Sequence, residues 1–301
     1  MKIAISGGSG FIGTKLTDRL VDQGHTVYIL TRNAANKPAK SNVKYVEWLK
    51  DDTNPEVDLE GIDAIVNLAG ESIGDGRWTS ERKKQILESR INSTRAVMDV
   101  LKKLNEKPDV LVNASAIGYY GNSQMETFTE DSPPIEMNFL ADVVQKWEAE
   151  AAKASELGIR VAYCRLGIVL DKNEGALNRM LLPYRLFIGG TIGSGEQWLS
   201  WVHIDDVVGM FQFAIENEEV EGPMNVTAPS PIQMKDFGKQ VATVLTRPHW
   251  IPAPAFALKI ILGEMSTLVL DGQKVLPKKA EELNYPYAFL SLKPALENLL
   301  K

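Results

Sequence analysis

Along the first half of the chain, short apolar runs alternate with stretches where apolar residues recur every three or four positions. That alternation marks βαβ units around a parallel sheet. Residues 2–5 read as a first strand. Phe11, Ile12, Leu16 and Leu20 then recur at helical spacing, and Gly24 stands where such a helix would end. Residues 26–30 read as a second strand, 43–48 as a weaker third, and 64–68 as a fourth. The fourth, Ala64-Ile65-Val66-Asn67-Leu68, is continuous enough for burial on both faces. Leu87, Ile91, Thr94, Met98 and Leu101 step by four and three, while Lys83, Lys84, Glu88, Arg95, Lys102 and Lys103 fall elsewhere. This predicts one long amphipathic helix. Residues 110–114 and 161–166 are the fifth and sixth strands, separated by a helix marked by Leu140, Val143, Val144, Trp147, Ala151 and Ala154.

Beyond Gly167 the alternation becomes irregular. Gly189, Gly190, Gly193 and Gly195 make a loop, and a helix over 205–215 with a short strand near Asn225-Val226 returns to the sheet. From Pro229 onward, Pro231, Pro248, Pro252, Pro254 and Pro277 punctuate short helices, which suggests a separate small lobe. No internal repeat or low-complexity segment interrupts the chain.

Composition narrows the classes. The chain has 301 residues, enough for a full core and a second lobe, with ordinary hydrophobic and charged fractions of 44% and 24%. A net charge of -6 gives no support to nucleic acid or an anionic membrane as partner. No apolar run approaches the roughly 18 to 20 residues a bilayer requires. Met1-Lys2 leads straight into Ile3-Ala4-Ile5, without the pattern of a signal peptide. Cys164 is the only cysteine, so neither an internal disulfide nor a Cys-based zinc site is expected, and no metal ligands are assigned. Its apolar setting predicts an inert buried thiol, and the whole suits a reducing cytoplasm.

The sharpest motif is Gly7-Gly8-Ser9-Gly10-Phe11-Ile12-Gly13, which follows the first strand and opens the first helix. So tight a turn needs residues without a Cβ: Gly10 lets the backbone approach a pyrophosphate, and Gly13 lets helix and strand pack closely. The helix N-terminus then faces the phosphates with unpaired N–H groups and a positive dipole end. In this strand–turn–helix context the motif predicts dinucleotide binding and a Rossmann-type α/β fold, a doubly wound parallel sheet with a smaller C-terminal α/β substrate lobe. The boundaries are 1–166 for the nucleotide domain, rejoined by 201–228, with 167–200 and 229–301 forming the substrate lobe.

The second strand ends in Thr31-Arg32-Asn33, where an acidic residue would accept hydrogen bonds from the ribose 2′-hydroxyl of NAD. Arg32 cannot accept one, but its guanidinium can grip a 2′-phosphate, so NADP(H) is the expected cofactor unless Arg32 is an exposed arginine of no consequence. Leu68, Ala69 and Gly70 end the fourth strand where backbone passes close to the cofactor. Arg90, on the following helix, either faces the cofactor or points to solvent.

Together these residues resemble the extended short-chain dehydrogenase/reductases, the NAD-dependent epimerase/dehydratase superfamily. Further stretches look like its "epimerase family protein" branch of YfcH-like bacterial proteins. They are Ser115-Ala116-Ile117-Gly118-Tyr119-Tyr120-Gly121, Lys146-Trp147-Glu148-Ala149, Ser200-Trp201-Val202-His203-Ile204-Asp205-Asp206, and the tail from Gly272-Gln273-Lys274-Val275-Leu276-Pro277. The resemblance covers nearly the whole length and implies NADP binding, a cleft between two lobes and no particular substrate. The class often dimerises through its long helices, so a homodimer is compatible.

The superfamily's reaction uses a Tyr with a Lys four residues later, which together move a proton near neutrality. No tyrosine here has Lys at that spacing, and Leu140 and Val144 occupy the two places. Ser115 stands near the superfamily's Ser/Thr, although alignment on Tyr120-Gly121 puts Ala116 there. Tyr119 and Tyr120 are candidate replacement phenols, each with packing as the alternative. His203 either titrates in catalysis or fixes its loop. Arg165 either binds an anionic substrate group or forms a buried ion pair. Trp198 and Trp201 either stack on a ring or pack at the lobe interface. The favoured expectation is hydride transfer, as oxidoreduction or epimerisation of a small carbonyl or hydroxyl compound, with Ser115 and Tyr119 or Tyr120 polarising the oxygen. The rival is a catalytically silent NADPH sensor.

Overall fold

The computed structural model describes residues 1–35, 37–50 and 52–301. The chain runs β1 (Lys2–Ser6), α1 (Phe11–Asp22), β2 (Thr26–Thr31), β3 (Val43–Glu47), α2 (Pro55–Leu59), β4 (Ala64–Asn67) and α3 (Ser80–Lys103). It continues through β5 (Val110–Ala116), a 3-10 turn at Ile117–Tyr120, β6 (Thr127–Phe128), α4 (Phe139–Ala152) and β7 (Arg160–Leu166). Next come β8 (Ile168–Leu170), α5 (Ala176–Arg185), β9 (Trp198–Leu199), β10 (Trp201–His203), α6 (Ile204–Glu216) and β11 (Gly222–Val226). The remainder holds β12 (Ile232–Gln233), α7 (Met234–Leu245), α8 (Ala255–Leu262), α9 (Thr267–Leu270), β13 (Lys274–Val275), α10 (Lys278–Glu282) and α11 (Leu292–Leu300).

The main sheet has the order β11-β7-β5-β4-β1-β2-β3, with every pairing parallel. After β3 the chain crosses back to lay β4 beside β1, so the strand order reverses between these two. In such sheets ligands bind outside the carboxyl ends of the strands at that switch point. Alternation within strands splits the core. Ile3 and Ile5 join Val27, Ile29 and Val66 under α1 and α6, while Ala4 joins Tyr28, Leu30 and Ile65 under α3.

The helices have clear local causes. Thr79 caps α3 by accepting a hydrogen bond from the Arg82 N–H at 3.1 Å, and Lys102 and Lys103 sit at its negative end. Its buried stripe runs through Ile86, Thr94, Val97, Met98 and Leu101, whereas Leu87 and Ile91 are only half-buried. Near the start of this long helix, Ile86 and Leu87 pack in a cluster with Trp78 and Phe139. Asn138 caps α4 by accepting from the Ala141 N–H at 3.0 Å.

A further apolar core forms between α5, α7 and α11, around Leu177, Leu181, Phe237, Val241, Leu292 and Leu296. Asp206, in the first turn of α6, holds the last segment by accepting N–H bonds from Ala288 (2.8 Å) and Phe289 (3.0 Å). No described helix is long and apolar enough to cross a membrane.

Candidate dinucleotide and substrate site

The glycine turn leaves β1 at the switch point. Gly7 has a φ of +74°, and a Cβ there would lie 2.8 Å from the Leu68 carbonyl carbon, so the turn rests on the backbone leaving β4. Gly10 donates its N–H to the Gly7 carbonyl at 2.9 Å. A Cβ on Gly13 would stand 2.2 Å from that same carbonyl oxygen, which brings α1 directly onto the turn. Gly8 is buried against Ile29, whereas Ser9 and Gly10 are exposed. No side chain caps α1 and its first turn holds no acidic residue. The turn therefore presents unpaired N–H groups and a positive dipole end with no built-in anion, which fits a pyrophosphate. Phe11 and Ile12 are half-buried and pack on the sheet core. Phe11 also lies under Gly175, its Cε1 being 3.4 Å from where a Cβ on that glycine would be.

Because both neighbours of Gly13 are backbone, neither yields cheaply. Gly13→Ala is expected to lower stability by about 1–3 kcal/mol and to weaken dinucleotide binding. Thermal melting and cofactor titration measure both effects, and unchanged values would show that the turn is looser than its geometry.

At the end of β2, the half-buried Thr31 donates its hydroxyl to the Asn33 carbonyl at 3.2 Å. Arg32 is exposed and pairs with no carboxylate among the described residues. The nearby acid at the end of β3, Glu47, is already engaged, accepting from the Ala34 N–H at 2.9 Å and from Lys50 at 3.0 Å. Those bonds hold its carboxyl below the usual range.

Beneath the strand ends lies a buried polar network. Ser6 donates to Asn67 Oδ1 at 2.6 Å, and Asn67 Nδ2 donates to Asn113 Oδ1 at 2.7 Å and to Thr94 Oγ1 at 3.0 Å. Trp147 Nε1 donates to the same Thr94 hydroxyl at 3.1 Å. These bonds tie the ends of β1 and β4, at Ser6 and Asn67, to Asn113 within β5. Leu68 and Ala69 are half-buried and Gly70 is exposed, with Ser93 donating to the Ala69 carbonyl at 3.1 Å. Arg90 does not point to solvent. Its Cγ lies 3.3 Å from where a Cβ on Gly70 would be, its guanidinium is 5.1 Å from the Trp147 ring centre, and Nη1 donates to the Ile86 carbonyl at 2.9 Å. Burial pushes its pKa down to about 10, so it stays charged at neutral pH.

Three of the four residues expected to handle protons make hydrogen bonds within the protein. Ser115 is buried and donates to Glu148 Oε1 at 2.5 Å. Tyr120 is fully buried; its hydroxyl donates to Asn225 Oδ1 at 2.7 Å and accepts from Arg165 Nη1 at 3.0 Å. Burial pushes that phenol up to about 12, against the pull of Arg165. His203 is a helix cap, its Nδ1 accepting from the Asp205 N–H at 3.1 Å while its ring lies 4.0 Å from that of Phe289. Burial lowers its pKa, favouring the neutral ring that a cap requires. Tyr119 is the exception. It is half-buried, lies under the Arg165 guanidinium at 3.5 Å, and its hydroxyl has no hydrogen-bond partner among the described residues.

Other open choices resolve toward packing. Arg165 forms a bidentate ion pair with Glu148, Nε to Oε1 and Nη2 to Oε2, both at 2.8 Å. Trp201 is buried and donates to the Ser230 carbonyl at 2.9 Å, and Trp198 donates to the Gln124 carbonyl at 3.1 Å. Cys164 is fully buried. Sequence reasoning missed Glu148 as the anchor of this region, and also Gln273, whose amide donates to the Ile117 carbonyl at 2.9 Å. Both lie in the family-like stretches, but their partners are visible only once β5, α4 and β7 are adjacent.

Residues 3–227 match the sequence profile of the NAD dependent epimerase/dehydratase family, and residues 253–299 match a domain of unknown function (DUF1731). The chain is 49% identical over 300 residues to epimerase family protein YfhF of Bacillus subtilis (strain 168), covering 100% of this chain and 98% of that one. It is 41% identical over 297 residues to epimerase family protein SA0724 of Staphylococcus aureus (strain N315), covering 99% and 98%. Among solved structures, human epimerase family protein SDR39U1 (isoform 2) with NADPH superposes with a TM-score of 0.86 at 33% identity, over 99% of both chains. UDP-glucuronic acid 4-epimerase from Bacillus cereus, in complex with UDP-glucuronic acid and NAD, superposes at 0.79 over 99% of this chain and 98% of that one. At 18% identity the latter shows a shared fold alone. With its Rossmann-like sheet, its glycine turn and relatives alike over their full length, the chain belongs to the NAD dependent epimerase/dehydratase family and has that family's nicotinamide dinucleotide-binding fold.

Proposed function

We propose that the protein is an NADP(H)-dependent oxidoreductase that transfers hydride to or from a small carbonyl or hydroxyl compound, or epimerises it by transient oxidation. Gly7 to Gly13 would hold the pyrophosphate, Arg32 the 2′-phosphate, and Leu68 to Gly70 with Arg90 the face between the adenosine and nicotinamide halves. When bound, the nicotinamide supplies or accepts the hydride. The carbonyl carbon gains hydride in the reducing direction, and its oxygen gains a proton that Tyr119 donates and recovers from water.

The observation that supports the catalytic reading is the half-buried Tyr119, on the turn that Leu140 approaches at Gly118, whose hydroxyl has no partner among the described residues while those of Ser115 and Tyr120 are bonded to Glu148 and Asn225. A phenol without a lysine partner donates an ordinary neutral hydrogen bond, which contributes about 0.5–1.5 kcal/mol. Tyr119→Phe is therefore expected to lower kcat about tenfold with NADPH affinity unchanged.

A second reading, a silent NADPH sensor, is favoured by the apolar pair Leu140 and Val144 in place of the family's proton-handling dyad. Fluorescence titration with NADPH and NADH, followed by a hydride-exchange screen on carbonyl compounds, separates the two. Tight NADPH binding with turnover supports the enzyme, tight binding with none supports the sensor, and absence of binding overturns both.

A further inference from the structure

We propose that the substrate face of this site takes an apolar, uncharged carbonyl compound or its alcohol, and not a nucleoside diphosphate sugar; the carbonyl itself rests on the oxidoreductase reading above. Leu140 reaches the turn that carries Tyr119, its Cβ lying 3.3 Å from where a Cβ on Gly118 would be. It belongs to an apolar cluster with Phe139, Met265 and Leu268, all half-buried, over the buried Trp78 and Val143. The cluster joins the start of α4 to α9 and the turn before it, so both halves of the chain contribute to it. Trp78 meets Phe139 edge-to-face with ring centres 5.2 Å apart, and its own N–H is spent on the Ile73 carbonyl at 2.9 Å.

A diphosphate requires unspent cations or helix N-termini. Four cations near this cluster already hold bonds within the protein. Arg82 bonds Glu71 at 3.2 Å and the Ser72 carbonyl at 2.6 Å, and Arg77 bonds the Ile261 carbonyl at 2.9 Å. Arg179 bonds Asp75 at 2.8 Å, and Lys83 pairs with Glu264. A nucleotide sugar laid here would have to break these pairs, whereas an apolar ring or chain would displace only water from half-buried carbon.

Calorimetric titration of the NADPH-loaded protein with acetophenone, cyclohexanone and octanal, alongside UDP-glucose, tests the proposal. At least one of the three carbonyls is expected to bind with sub-millimolar Kd, and UDP-glucose more weakly than that carbonyl. Met265→Asp and Leu140→Thr, each checked for folding by thermal melting, should weaken carbonyl binding about tenfold with NADPH affinity unchanged. Tighter binding of UDP-glucose, no binding of any carbonyl, or folded variants that bind like the parent would overturn it. Carbonyl binding without hydride exchange would keep the apolar site and remove the oxidoreductase reading instead.

Discussion

Replacing Glu148 with alanine is expected to cost the fold about 3–5 kcal/mol, because it breaks a buried ion pair from one side. Glu148 accepts from Arg165 at both carboxylate oxygens and from the Ser115 hydroxyl, joining α4 to β7 and β5. Arg165 in turn bonds the buried Tyr120, which bonds Asn225 in β11. Burial alone would push the Arg165 guanidinium down, but the hydrogen bonds and charge of Glu148 outweigh it and hold it above its ordinary value. Without Glu148 the same guanidinium is a buried charge lacking its carboxylate, and Ser115 loses its acceptor. Glu148→Gln keeps the shape and one acceptor oxygen, so its loss should be smaller. Removing both charges, as Glu148→Leu with Arg165→Met, should recover part of the loss, since apolar replacements of a buried pair are often near neutral. Urea titration reads all three variants; a loss below about 1 kcal/mol for the alanine variant would mean the pair is solvated and its bidentate geometry idle.

The glycine turn and the alternation of the first half were legible because their causes are local. Gly13 must lack a Cβ wherever a helix sits on the turn before it, and Ile3, Ala4 and Ile5 alternate whatever covers the sheet. The missing Tyr–Lys dyad was legible for the same reason, being a matter of identity at fixed spacing. The proton-handling residues could not be separated from packing ones in sequence, because Ser, Tyr and His suit both roles and their partners are mostly distant. Ser115 bonds Glu148 and Tyr120 bonds Asn225, both far along the chain, whereas His203 caps the nearby Asp205 N–H and meets Phe289 from the last segment. Beyond Gly167 the helix over 205–215 and the strand near Asn225-Val226 were legible as α6 and β11, but shorter elements were not, for another reason. Strands β12 and β13 each have two residues, too few to show a period, and α5 carries Pro183 inside it, which reads in sequence as a break.

Changing Arg32 to aspartate is expected to reverse the choice between NADPH and NADH. A charge-assisted bond from the guanidinium to a 2′-phosphate contributes about 1.5–3 kcal/mol, so NADPH affinity should fall roughly ten- to a hundredfold. The new carboxylate also repels that phosphate and accepts from a 2′-hydroxyl, so NADH should gain while NADPH loses. The gain is the smaller change, because Glu47 lies close by at the end of β3 and a second carboxylate adds like-charge repulsion. Arg32 is exposed, so salt matters: NADPH binding to the parent protein should weaken from low to physiological ionic strength more than NADH binding does. That difference should vanish in the variant. Fluorescence titrations of both cofactors at two salt concentrations read every term. If both affinities stay within about twofold of the parent, Arg32 is a solvated surface arginine and NADP selectivity has another source. Dinucleotide binding would survive that result, since it rests on Gly7, Gly10, Gly13 and the uncapped start of α1, none of which the substitution touches.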